Sequence, residues 1–114
     1  MNINDYLNKL KSTPESITFE DTISTIDENY NFIPSAFTNG DTKNNANENN
    51  GSCKIFFFAK EQALSKESTL HCFGDYYRKD VLQNPHAADH QNIRNFMISG
   101  WPAVAFESTA LIAK

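Results

Sequence analysis

The sequence predicts an α+β fold: one mostly helical domain of five or six helices with a single small antiparallel sheet. Three observations lead there. Apolar residues recur at helical spacing behind capping residues, as in TFEDTISTID, where Thr18 precedes Phe19, Ile23 and Ile26. Two other stretches, NFIPSAFT and AVAFESTALIAK, are rich in β-formers and punctuated by turn residues. The chain has 114 residues, 39% of them hydrophobic and nine of them Phe. That is enough for one ring-built core burying roughly two-thirds of the unfolded surface, so residues 1–114 form one domain.

The elements follow in order. Asn4 caps a short helix with Tyr6, Leu7 and Leu10 on one stripe, and Thr13-Pro14 resets the direction. A second helix spans about 18–29, with Thr18 as N-cap and Asp21 completing a capping box. Phe32 to Thr38 reads as a strand that Pro34 confines to an edge, and Asn39-Gly40 turns the chain because both residues accept positive φ cheaply. GSCKIFFFAKEQAL has the aromatics of a strand, yet it opens with the good N-cap Ser52 and ends in strong helix formers. The expectation is a helix over about 52–64, buried nearly all round at its start.

Ser65 caps the next helix, which puts Leu70, Phe73, Tyr77 and Val81 on one face. Gly74 divides it, Asp75 caps the second piece and Asn84-Pro85 ends it. A helix capped by Asp89 then runs to Gly100 with Ile93, Phe96 and Met97 inward. The tail reads as a hairpin turning at Ser108-Thr109 and pairing with residues 32–38, since a lone two-stranded ribbon is marginal in water.

Charge and composition exclude several classes. The formal net charge is -4 and the ten Lys and Arg are scattered, so no phosphate-backbone footprint exists and nucleic acid is not an expected partner. No apolar stretch approaches the ~20 residues that span a bilayer, and MNINDYLNKLK is too polar for a signal-peptide core. Cys53 and Cys72 fit neither a zinc knuckle nor a CxxC redox pair and read as free thiols in a reducing cytoplasm. No phosphate loop, dinucleotide fingerprint, nucleophile elbow or HExxH motif occurs, and no cofactor or metal is expected.

FEDTI, IDENYNF, AFTNGD, NNGSCKIF, FGDYYR, DHQNIRNFM and the Gly100-Trp101 pair, in that order, resemble the HopJ family of small bacterial proteins over about Tyr6 to Leu111. The resemblance implies either a bacterial cytoplasmic protein or an effector secreted by a type III system into a host cell, with a host protein as partner in the second case. It brings no catalytic residue set with it.

Three stretches are candidate sites. In Gly51-Ser52-Cys53-Lys54, a helix starting at Ser52 would place Cys53 among free N–H groups, with Lys54 adding positive charge, conditions that favour a thiolate. With His90 or His71 as base, Cys53 could serve acyl-transfer or amidase-like chemistry; otherwise it is a small core residue. The run between Asn39 and Asn50, including Asp41 and Asn45, offers hard oxygen ligands. It fails the EF-hand spacing, because Lys43 and Ala46 fall where a ligand and a glycine are needed. An ordered loop bonded to its own backbone is the preferred reading. Finally, Asp89 as cap with His90, Asn92 and Arg94 makes a helix face able to bind a carboxylate, or else a structural ion pair. The rings of Phe73, Tyr76, Tyr77 and Trp101 suit a pocket wall or the core. Together these favour a non-catalytic domain that binds a protein or a small polar ligand through the asparagine loop and the His90–Arg94 face, with the cysteine enzyme as the alternative.

Overall fold

The structure, a computed structural model describing residues 1–114, contains five α-helices, one π-helical segment and five short strands. Helix α1 (Ile3–Ser12) starts at Asn2, not Asn4, because the Asn2 carboxamide reaches the Asp5 amide at 2.7 Å. Helix α2 (Phe19–Asn29) has the expected capping box: Thr18 Oγ1 accepts from the Asp21 amide at 3.0 Å, and the Asp21 carboxylate accepts from the Thr18 amide at 3.1 Å.

The expected strand at 32–38 is split. Strand β1 (Tyr30–Phe32) ends before Ile33-Pro34, and β2 (Phe37–Asn39) begins after them and turns at Gly40-Asp41 into β3 (Thr42–Asn44). The tail forms β4 (Val104–Phe106) and β5 (Leu111–Ala113), which do not pair with each other. Instead there are two antiparallel sheets, β1-β5 and β3-β2-β4. The single sheet and C-terminal hairpin are therefore corrected. Pro34 lacks the N–H that a continuous ladder would need, so residues 33–36 step the chain from one sheet to the other. Ser35 and Ser108 tie the two crossings together, Oγ to Oγ at 2.9 Å.

Helix α3 (Asn50–Glu61) is the axle of the core and begins at Asn50, two residues before the expected start at Ser52. Its Cys53, Ile55, Phe56, Phe58 and Ala59 are all buried. Phe56 meets Phe96 at 4.9 Å, Phe73 at 5.3 Å and Phe37 at 6.2 Å, while Phe58 faces Tyr6 at 5.8 Å and Tyr30 at 6.0 Å. Offset and edge-on rings of this kind stabilise beyond their buried area, by ~0.5–1.5 kcal/mol per pair. One buried polar chain crosses the core: Tyr6 Oη lies 2.7 Å from Thr22 Oγ1, which donates to the Cys72 carbonyl at 2.8 Å. Burial pushes the Cys72 thiol up to about 12.

Helix α4 (Lys66–His71), capped by Ser65, breaks at Cys72–Gly74, and residues Tyr76–Val81 continue as the π-helical segment. Gly74 has φ +62, and a Cβ there would lie 2.6 Å from the Phe19 amide nitrogen, so the break packs tightly on the head of α2. Arg78 fastens this region by donating to the carbonyls of Pro14, Ile17 and His71. Helix α5 (Gln91–Ser99) ends at Gly100, φ +63, as expected. No helix is long and apolar enough to cross a membrane.

Candidate functional site

The asparagine run is the frame of the site. Asn44, at the end of β3, is buried and accepts from Asn92 Nδ2 at 3.0 Å and Asn49 Nδ2 at 2.7 Å, while its own Nδ2 donates to Asn92 Oδ1 at 3.2 Å. Asn39 is wholly buried; its Nδ2 donates to the Asn92 carbonyl at 2.8 Å and lies 3.2 Å from Asn92 Oδ1. Asn95 adds bonds to the Asn39 carbonyl at 3.0 Å and Thr42 Oγ1 at 2.7 Å. An amide side chain both donates and accepts, so asparagines can satisfy one another where charges would be costly. The network bolts the start of α5 to the β2-β3 hairpin and, through Asn49, to the start of α3. Asn39 Oδ1 alone among buried side-chain nitrogens and oxygens lacks a partner in the chain.

This bolting brings two helix heads to one cleft of about 330 Å3. Asn49, Gly51 and Ser52 come from the head of α3, and His90, Gln91, Asn92 and Ile93 from the head of α5. Thr42, Phe19, Phe73 and Tyr76 complete the wall. Both helices begin the same way: Asn49 (φ 52, ψ 49) and His90 (φ 51, ψ 48) are left-handed N-caps whose side chains make no capping bond. The first amides to find helical acceptors are Cys53 N–H to the Asn49 carbonyl and Arg94 N–H to the His90 carbonyl. The N–H groups of residues 50–52 and 91–93 thus have no acceptor in the chain, and each helix dipole is positive at this end.

The apolar wall is equally specific. A Cβ on Gly51 would lie 2.9 Å from Phe19 Cζ, so the glycine lets that ring close one side of the cleft. Tyr76 packs edge-on to Phe19 at 5.0 Å and against the His90 ring at 5.1 Å. His90 Nε2 lies 3.1 Å from Asp80 Oδ2, which fixes the imidazole at the mouth.

Other expected site residues stand elsewhere. Cys53 is the fourth helical residue, 1% exposed, and its thiol faces the Ser35 carbonyl at 3.6 Å. Burial pushes the thiol up. A thiol of this kind belongs to the core and does not line the cleft. Ser52 does not cap α3 but sits in its first turn and lines the cleft, with no hydrogen bond to His90. Lys54 pairs with Asp27 at 2.9 Å and covers the Phe32 ring, outside the cleft. Asp41 and Asn45 are exposed in turns, and Asn50 sits half-buried at the head of α3.

Asp89 does not cap α5. Its carboxylate accepts from Arg94 at 2.8 Å, and that contact holds it below the usual carboxylate range. Arg94 also donates to the Asn84 carbonyl at 2.9 Å and lines a separate groove with Val81, Leu82 and Ile98, so His90 and Arg94 do not share a site. Sequence reasoning missed Phe19, which was assigned to the core stripe of α2, as well as Thr42, Gln91 and Asp80. None carries a local signal; only the fold assembles them.

A family model described as HopJ type III effector protein matches residues 3–111. The crystal structure of VPA0580, a protein of unknown function, is 58% identical and superposes with a TM-score of 0.99 over 100% of this chain and 95% of that one. No curated protein matches.

Proposed function

The chain belongs to the HopJ type III effector protein family, and from that premise we propose that it is a non-catalytic, host-directed binding domain whose cleft at the heads of α3 and α5 receives its ligand. The reading is carried by one observation: two helix starts without side-chain caps, held together by buried asparagines, line one cavity, and their first amides have no acceptor in the chain. Such amides call for acceptor oxygens, a carboxylate or phosphoryl group on a small polar ligand or on a partner protein. Phe19, Tyr76 and Ile93 take the apolar part beside it. The buried, weakly acidic Cys53 favours binding over thiol chemistry.

An NMR titration of the amide signals with inorganic phosphate and with malonate tests the site. Saturable shifts centred on residues 50–52 and 91–93 are expected. Shifts spread evenly over the surface, or none, would refute it. Family membership supports delivery into a host cell over residence in the bacterial cytoplasm. A translocation reporter fused to the chain in a secretion-competent bacterium separates the two, with signal in the host expected.

A further inference from the structure

The chain contains two Asn-Gly pairs, Asn39-Gly40 and Asn50-Gly51. An asparagine followed by glycine is chemically self-reactive, because no Cβ hinders the glycine nitrogen from approaching the asparagine side-chain carbonyl. The fold treats the two pairs oppositely. Asn39 is wholly buried and its Nδ2 is held by Asn92, while the Gly40 N–H is occupied by the Ala103 carbonyl at 3.1 Å. Asn50 is half-buried, its side chain makes no hydrogen bond, and the Gly51 N–H has no acceptor. Neither the nucleophile nor the leaving amide is restrained at the second pair.

We propose that Asn50-Gly51 is a spontaneous deamidation site that adds a negative charge at the head of α3. The Gly51 nitrogen gives up its proton and bonds to Asn50 Cγ; the Cγ–Nδ2 bond breaks, and the side-chain nitrogen takes up a proton and departs as ammonia. Water then opens the five-membered imide to aspartate or isoaspartate, so one water is consumed for each ammonia released. The helical backbone at Asn50 must first relax to an extended one. That step is local, because the pair forms the first turn of a helix whose cap, Asn49, makes no side-chain capping bond. The new carboxylate would lie where the dipole favours it. It would also repel the acceptor oxygens assigned to the cleft, a consequence that rests on the proposed function; the chemistry itself does not.

The test needs no ligand. The full chain is aged at mildly alkaline pH, native and in urea, then digested and followed by mass spectrometry. In urea both pairs should convert. In the native protein Asn50 should convert at least about ten times faster than Asn39, since fraying one turn costs far less than the unfolding needed to free a buried strand residue. Native Asn50 as inert as Asn39, or both converting at one rate, would overturn the proposal. Asn50→Gln should abolish the acidic species on isoelectric focusing, and its persistence in that variant would be equally decisive against it.

Discussion

The helix starts of this domain fall into two groups. Those of α1, α2 and α4 are closed by their own side chains: Asn2, the Thr18–Asp21 box and Ser65 each accept a first-turn amide at 2.7–3.1 Å. Those of α3 and α5 begin from left-handed residues, have no side-chain cap, and open onto the same cleft. The difference is not a shortage of capping residues, since Ser52 stands in the first turn of α3 and Asp89 immediately precedes His90. Closed heads fix the path of the chain. Open heads leave their donors without an acceptor in the chain, and the asparagine network ties them in place where caps would otherwise do so.

The contrast can be broken most severely from the closed side. Gly74→Ala would force a Cβ to 2.6 Å from the Phe19 amide at a φ of +62, displacing the start of α2. A loss of about 3 kcal/mol or more, or failure to fold, is expected in urea denaturation. Next comes the frame of the open side. Asn92→Ala removes both bonds to Asn44 and leaves its buried amide with only Asn49 and a long contact to the Phe37 carbonyl, for about 1–3 kcal/mol. In the folded fraction the phosphate-induced shifts at residues 50–52 and 91–93 should weaken together, because the two heads are no longer bolted.

A smaller effect is expected from Thr18→Ala, about 1 kcal/mol of stability with the cleft untouched. The same box gives a pH signature. Burial alone would raise the Asp21 carboxyl, but the Thr18 amide and the Lys9 ammonium outweigh it and hold the carboxyl below its ordinary value. This stabilisation is therefore complete above the unfolded carboxylate pKa and is lost as pH falls through the lower folded value. Asp21→Asn should flatten the stability profile in that acidic range, and an unchanged slope would count against the box. The smallest change sharpens the comparison most. Ser52→Asp places a charge among the open amides of α3 and should add about 0.5 kcal/mol of stability while abolishing phosphate binding. Gain in one with loss in the other is the behaviour of donors kept free.

Two of the three closed heads were also legible, the exception being α1, whose cap is Asn2 and not the expected Asn4. Thr18 with Asp21, and Ser65, could be read because a cap and its helix are neighbours in sequence. The α+β class and the burial of KIFFFA follow from periodicity in the same way. The open heads were misassigned to Ser52 and Asp89 because left-handed caps at Asn49 and His90 are dictated by tertiary bonds, which no local pattern records. Pro34 was expected to confine one strand over 32–38 to a sheet edge, whereas it lies between two strands where the chain changes sheets. That depends on which distant strand each half meets. The asparagine loop was expected to bond to its own backbone, whereas its buried members mostly bond to one another and to α5.

Strand β4 pairs with β2 and strand β5 with β1, so each sheet waits for a partner from the last dozen residues of the chain. Both pairings therefore join residues far apart in sequence, Asn39 with Val104 and Phe32 with Leu111, and such distant ladders are slow to close. Of the strand pairings, only the β2-β3 hairpin is local enough to form ahead of them. Loss of Leu111–Ala113 would leave β1 without its one strand partner while the β3-β2-β4 sheet kept all of its own.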